Sequence, residues 1–511
     1  MQQRSGTSKP SGRWPRTGGA LGALALLLAS CGGGSEPTSV LFITVDTLRA
    51  DHLGCYGYER PTSPALDALA AEGVRFEKSY SMAPFTAPSH ASLFTGMHAI
   101  SHGVLEWYQL LNPEAATAAM RFAEAGYRTG AFYNHPSLEP SDLLRGFDHV
   151  EKRFFEEAEP TVEGYLDWLD GSEGASMAWV HLWDVHRPYG YRSFGDFVEF
   201  GGPDRPALPF AEDTYGALLS PPIGRDEGWY NMRPEERRRA SMGERERERM
   251  VERYDGGVRY ADDALGRLFD ELRARGLYED MLIVVTADHG ETLTERHGCW
   301  YTHDPYLYEE TLRVPLLLRL PGGEHAGTVV EQELARGIDV LPTMLEVAGL
   351  EGGYGIQGRS LMPAVRGEGL PDSPLYAETR TRNAKERNER VNREATPDRF
   401  LEHREVLTDG SDKLIVDRET GEEFFYDLER DPGELTNEIE NPYYLQRINR
   451  LRGALTQLRG SLERSASGES MSSEDLEAFL EAIGYGGDDE EELEDEEQDE
   501  GETPNSEEAP D

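Results

Sequence analysis

The segment Pro84-Phe-Thr-Ala-Pro-Ser-His-Ala-Ser-Leu-Phe-Thr-Gly96 sets a hydroxyl, Thr86, two residues ahead of Pro88. Pro88 suits the first position of a helix and Gly96 its end. Thr86 is therefore expected just ahead of a helix N-terminus, where the positive dipole end and unpaired N–H groups favour an oxyanion or a bound phosphate. Taken alone, such a Thr is also compatible with a simple helix cap. A second stretch, Thr286-Ala-Asp-His-Gly-Glu291, directly follows an apolar run and offers adjacent carboxylate and imidazole ligands, Asp288 and His289. Alone it reads equally as a capped loop with a satisfied histidine. Asp46, in Asp46-Thr-Leu-Arg-Ala-Asp51, and the histidines of His181-Leu-Trp-Asp-Val-His-Arg-Pro-Tyr189 stand at the ends of two further apolar runs. Each cluster could be structural; all of them in this order are much harder to obtain by chance.

The elements that must position these residues follow one grammar. Val40-Leu-Phe-Ile-Thr-Val45 is continuously apolar and β-rich, the pattern of a strand buried on both faces, and Asp46 comes immediately after it. Gly130 to Tyr133, Met177 to Leu182 and Met281 to Thr286 are similar runs ending in polar residues, and Leu316 to Leu320 is a further strand. Between them lie helical patterns, clearest where Val251, Tyr254, Val258, Ala261, Leu265, Leu268 and Leu272 recur at three and four residues before Gly276. Strands alternating with helices predict an α/β fold, a large mostly parallel sheet flanked by helices. Ligands bind outside the carboxyl ends of such strands, where these polar residues fall. From about Pro374 the texture changes to short β-like runs, Arg404 to Leu407, Lys413 to Val416 and Glu423 to Leu428, with a turn at Asp409-Gly410. They predict a small antiparallel C-terminal subdomain.

These motifs resemble the sulfatase family of the alkaline-phosphatase superfamily. That family carries a metal-binding Asp after the first strand, a nucleophile motif C/S-x-P-S-R followed by Ala-Ser-Leu-x-Thr-Gly, and a later Asp-His or Asp-Asn pair. The likeness continues through Gly126-Tyr-Arg-Thr129, Gly146-Phe-Asp148, Leu307-Tyr-Glu-Glu310, Arg313-Val-Pro315, Gly358-Arg-Ser-Leu361 and Tyr426 to Glu434, and so spans roughly residues 40 to 440. The resemblance implies an alkaline-phosphatase/sulfatase-like fold and one divalent metal held by Asp46, Thr86, Asp288 and His289. Thr86 would be both ligand and nucleophile. His186 and His303 would contact the transferred group or protonate the leaving oxygen. His90 stands in place of the motif Arg, and with His181 is a candidate for binding substrate or for supporting its neighbours.

Two departures shift the expected chemistry. Sulfatases oxidise the motif Cys or Ser to formylglycine, and Thr86 cannot give that aldehyde because its extra methyl allows at most a ketone. A Thr alkoxide can still form a covalent ester, to be released by water or another alcohol. Classical sulfatases use calcium with paired Asp residues and an Asn, whereas here Thr47 replaces the second Asp and His289 supplies nitrogen, which favours manganese or zinc over calcium. Three readings follow: phosphoester hydrolysis or transfer through Thr86, sulfate-ester hydrolysis by the unmodified Thr, and a catalytically silent cleft that binds an anionic glycan or lipid head group. The expected partner is thus an anionic ester, a phosphorylated or sulfated lipid head group or glycan.

The 511 residues, 38% of them hydrophobic, suffice for one large domain and a smaller companion. Of the formal net charge of −45, twenty acidic residues lie beyond Arg464 with no basic one, leaving −25 for the body. A nucleic-acid partner is not expected. Arg4, Lys9, Arg13 and Arg16 precede the apolar stretch Leu21 to Leu28, followed by Leu28-Ala-Ser-Cys31, which resembles a bacterial lipobox. The expected organisation is a signal peptide with lipidated Cys31 (1–31), a tether (32–39), the catalytic domain (40–373), the antiparallel subdomain (374–440), terminal helices (441–487) and a disordered acidic tail (488–511). The protein is thus expected to be exported and held to a membrane, in the periplasm or at the cell surface, through Cys31. Cys55 and Cys299 remain, with their pairing left open.

Overall fold

The computed structural model describes residues 37–462 apart from 107–108, 136–137, 139–140, 155, 172–173, 188–243, 294, 296–302, 304–305 and 383–400. The expected signal peptide, most of the tether, the acidic tail, the helix expected around residues 474–483 and Cys299 lie outside the described residues. Cys55 is a free, half-buried thiol whose burial pushes its pKa up to about 12.

The large sheet has eight strands in the order β4-β3-β5-β1-β6-β7-β2-β8. They are β1 (Val40–Val45), β2 (Val74–Tyr80), β3 (Arg128–Tyr133), β4 (His149–Lys152), β5 (Ser176–Leu182), β6 (Leu282–Ala287), β7 (Leu316–Arg319) and β8 (Thr328–Arg336). All neighbours pair in parallel except β7, which runs antiparallel to both β6 and β2. The three central strands, β5, β1 and β6, are buried at every position, as their unbroken apolar runs predict.

Side chains alternate between faces, so each face collects its own core. Leu41, Ile43 and Val45 join the cluster formed with α1 (Pro64–Glu72), α4 (Ala158–Asp170) and the long α5 (Glu244–Ala274). Six of the seven periodic residues of α5 are buried there, and Val251 packs at the edge. Val40 and Phe42 face the opposite cluster, with α2 (Thr86–Thr95), α3 (Ala118–Glu124) and α6 (Gly337–Val347).

The second sheet is antiparallel, in the order β12-β11-β10-β9, with β9 (Leu375–Arg382), β10 (Leu401–Thr408), β11 (Asp412–Asp417) and β12 (Glu423–Asp427). The β10–β11 turn is where Asp409-Gly410 predicts it, and Gly410 has φ 85°. One face of this sheet covers Tyr80, Met82 and Ile338 of the main body. The other packs on Ile448, Leu451 and Leu455 of α7 (Leu445–Ser461). Lys413, fully buried, pairs with Glu309 at 3.0 Å and Glu434 at 2.9 Å, joining β11 to the motif segments Leu307 to Glu310 and Tyr426 to Glu434.

Strands β2, β4, β8 and β9 have no counterpart among the runs named from the sequence. Their charged residues alternate with apolar ones or crowd them out, so no continuous run marks them.

Candidate active site

Parallel pairing in register brings the polar residues together. Thr44 of β1 lies opposite His181 of β5 and Thr286 of β6, and His181 lies opposite Tyr133 of β3. Two residues further along, on the same face, come Asp46, Asp288 and His135. This is also the face that buries Ala87, Ala91 and Phe94 of α2, which carries Thr86 at its start.

The helix begins at Thr86 itself, after Phe85 at the cap, and not at Pro88 as the sequence pattern suggested. Pro88 is tolerated at its third position because N–H groups of the first turn have no intrahelical acceptor. Gly96 ends the helix with φ 67°. Ser89 donates to the Asp288 carbonyl and meets the Ser81 hydroxyl at 3.0 Å, which seats the first turn of α2 on the end of β6.

The loop after β1 is equally constrained. The Asp46 N–H donates to Leu182 O at 2.9 Å, and the Tyr254 hydroxyl of α5 donates to Thr47 O and accepts from Arg49 N. Thr47 occupies the left-handed region at φ 56°, and its hydroxyl donates to the Asp46 carbonyl at 2.7 Å. Gly290 is required for close approach, because a Cβ there would stand 2.2 Å from the Glu310 carbonyl oxygen.

Asp288 Oδ1 accepts from the N–H groups of His289, at 2.9 Å, and Thr47, at 3.3 Å. Its Oδ2 and both oxygens of Asp46 are buried with no hydrogen-bond donor. His289 donates through Nδ1 to Gly290 O, which turns Nε2 inward. That nitrogen lies 3.4 Å from Asp288 Oδ2, 3.8 Å from Asp46 Oδ1 and 3.5 Å from Thr86 Oγ1. Atoms bound about 2.1 Å from one ion at tetrahedral angles stand roughly 3.4 Å apart. The donor set and spacing of Asp46, Asp288, His289 and Thr86 therefore fit a divalent cation, and buried carboxylate oxygens without donors call for one.

Burial pushes the Asp46 carboxyl up to about 7, with His289 opposing and Glu291 reinforcing that rise. Asp288 is raised by burial and then by Asp46. Burial works against charge on His289, but Asp288 and Asp46 outweigh it and hold its pKa above the ordinary imidazole value.

Deeper on the same face, the Thr44 hydroxyl meets three ring nitrogens: Trp179 Nε1 at 2.9 Å, His90 Nε2 at 3.1 Å and His181 Nδ1 at 2.8 Å. His90 also donates through Nδ1 to Thr86 O at 2.9 Å, so both of its nitrogens are engaged. Burial and then the neighbouring His181 push His90 down to about 3, and burial pushes His181 down to about 4.

The remaining imidazoles stand in a row. His303 lies 4.4 Å from His289 and 5.5 Å from His186 between ring centroids, and His186 lies 5.5 Å from His135. Glu291, fully buried, orients His303 through Nδ1 at 3.1 Å, and His186 is held by its Nδ1 on Arg187 O. All eight residues singled out from the sequence thus lie in one buried cluster. His135, Thr44 and the role of Glu291 were not singled out. The available signal was the strand period of two, which puts His135 on the same face as Tyr133 just beyond the run Gly130 to Tyr133.

Fold and cluster together define an ester hydrolase of the alkaline-phosphatase superfamily. The sulfatase family profile matches residues 38–350, and a profile described as N-sulphoglucosamine sulphohydrolase, C-terminal, matches residues 296–461. The chain belongs to the sulfatase family. Among curated relatives it is 27% identical over 486 residues to an arylsulfatase of Clostridium perfringens, covering 85% of this chain and 97% of that protein. It is also 27% identical over 408 residues to the multifunctional alkaline phosphatase superfamily protein PehA of Trinickia caryophylli, covering 65% and 78% of the two chains. Among solved structures, phosphonate monoester hydrolase of Agrobacterium radiobacter shares the fold with a TM-score of 0.66 at 21% identity, covering 86% and 98%.

Proposed function

We propose that the protein is a metal-dependent hydrolase or transferase of phosphate esters that works through a covalent ester on Thr86. The observation that carries this reading is the pair of buried carboxylate oxygens without donors, Asp46 Oδ1 and Asp288 Oδ2, facing His289 Nε2 beside the Thr86 hydroxyl. A divalent cation bound there, manganese or zinc in view of the nitrogen ligand, would supply charge stabilisation and a lowered pKa for that hydroxyl.

Thr86 loses its proton to solvent and attacks phosphorus, and the bond from phosphorus to the leaving oxygen breaks. His303, oriented by Glu291, gives that oxygen a proton, whereas His186, kept neutral by burial with its one proton on Nδ1 toward Arg187 O, is left to contact the transferred group. Water or a second alcohol then attacks the Thr86 ester and regenerates the hydroxyl. His90, with both nitrogens engaged, positions Thr86 through its carbonyl. A phosphorylated lipid head group or glycan is the substrate class that suits an exported protein anchored through Cys31, a location supported by the lipobox-like Leu28-Ala-Ser-Cys31.

The relatives named as sulfatases favour a second reading, sulfate-ester hydrolysis through the same Thr86. Rapid acid quench with radiophosphorus-labelled and radiosulfur-labelled ester substrates, followed by peptide mapping, separates the two. Phosphate on the Thr86 peptide supports the first reading, and sulfate on it supports the second. No label on that peptide, under conditions where product forms, overturns the covalent mechanism.

A further inference from the structure

Asp46 has two carboxylate oxygens, and they face different partners. Oδ1 is directed at His289, as described, whereas Oδ2 lies 3.4 Å from His181 Nε2 and 3.7 Å from His135 Nδ1. Asp46, His135 and His181 are all buried, and their three ligand atoms lie within 4.8 Å of one another. Neither Asp46 Oδ2 nor His181 Nε2 has a hydrogen-bond partner.

The hydrogen-bond network fixes which atom of His181 is turned to Asp46. Trp179 Nε1 can only donate to the Thr44 hydroxyl, and His90 Nδ1 is spent on a carbonyl, so neutral His90 accepts at Nε2. Thr44 has one proton, which goes to His90. His181 Nδ1 must then donate to Thr44, leaving Nε2 a bare lone pair pointed at a carboxylate oxygen. Two lone pairs at 3.4 Å repel unless a proton or a metal cation stands between them, and where the Asp46 carboxyl is ionised that place falls to a cation. The separations of 3.4 and 3.7 Å match the roughly 3.4 Å expected between ligands of one tetrahedral ion.

From this geometry we infer that Asp46 bridges two divalent cations, the second bound by Asp46 Oδ2, His181 Nε2 and His135 Nδ1. His181 is then a metal ligand rather than a substrate-binding residue, and Thr44 is a positioning residue that sets its tautomer. Two imidazoles and one carboxylate favour zinc or manganese over calcium and leave a coordination position open. The inference rests on the metal centre at Asp46, Asp288 and His289, and its test separates the two.

The full-length protein in detergent is stripped with a chelator, reloaded with Zn(II) and, separately, Mn(II), gel-filtered and assayed for bound metal by mass spectrometry. The expected result is two tight equivalents per chain, falling to one in His181→Ala and in His135→Ala. Near-ultraviolet circular dichroism confirms that each variant is folded. Thr44→Val keeps all three ligands and should weaken the second equivalent alone, on the order of 10–100-fold, as removing an orienting hydrogen bond to a metal-bound His does. One equivalent in the unsubstituted protein overturns the second centre and leaves the first. Two equivalents that persist in both His variants overturn it as well, by placing the extra ion elsewhere. No tight equivalent overturns both centres.

Discussion

Thr86 Oγ1 lies 3.5 Å from His289 Nε2, although 203 residues separate them in the chain. Two strand ends and one helix start achieve this. Parallel pairing sets Asp46 and Asp288 side by side, and the Ser89 bond to the Asp288 carbonyl lays the first turn of α2 against them. A hydroxyl so placed is both within reach of a metal and at the positive end of a helix.

Removing it should therefore remove the chemistry. Thr86→Ala is expected to lower kcat by several powers of ten, on the order seen when a nucleophile is deleted, while Thr86→Ser keeps substantial activity. Thr86→Cys coexpressed with a formylglycine-generating system should lose activity if the hydroxyl itself is the nucleophile. Near wild-type turnover by Thr86→Ala would exclude the assignment.

His303→Ala is expected to slow esters with poor leaving groups more than those with good ones, whereas His186→Ala, which removes a neutral contact, should slow them alike. A group that protonates the departing oxygen matters most where that oxygen is most basic. Glu291→Gln keeps the shape but weakens the hold on His303 and should move in the same direction by less. A series of aryl phosphates of graded leaving-group acidity measures this, and equal slowing across it in His303→Ala would count against His303 as the acid.

Metal affinity should depend on pH with a defined sign. The Asp46 carboxyl, pushed up to about 7 by burial, carries a proton below that pH in the metal-free protein, and a cation must displace it. Apparent affinity should rise about tenfold per pH unit up to about 7 and then level off. The raised pKa of His289 acts in the same sense. Competition with a chromophoric chelator across this range reads the effect, and an affinity that stays flat below neutrality would contradict it.

Lys413→Met should destabilise the fold by about 3–5 kcal/mol, because it leaves the buried carboxylate of Glu434 and the part-buried one of Glu309 without their cation. Urea unfolding measures the loss. Double replacement by Lys413→Met and Glu434→Gln should recover part of it, since the unpaired charge is then reduced. An unfolding midpoint unchanged in Lys413→Met would show the pair to be energetically idle.

Cys31→Ala is expected to release the protein from membranes or to block its maturation. Among the described residues no helix is long and apolar enough to cross a bilayer, so nothing described there supplies a helical substitute for the lipid. Fractionation of cells expressing the variant tests this, and a processed variant that stays tightly bound would point to another anchor.

The amino-acid order alone determines the central strands, because Val40–Val45 and its partners are apolar enough to be buried on both faces, and it determines which polar residues end them. It equally determines the long helix ending before Gly276, and the motif run from Thr86 to Gly96. What it could not determine is which strands are neighbours. The pairing of β2 with β8, and the antiparallel β7 between β2 and β6, depend on non-local contacts that no local pattern encodes. Tertiary structure also decided the partners of each imidazole. That His90 turns both nitrogens inward, that Thr47 spends its hydroxyl on the Asp46 carbonyl, and that His135 joins Asp46 follow from burial, register and the direction of single hydrogen bonds. A residue's type shows what it can bind; only the packed neighbours fix which of its atoms remains available to do so.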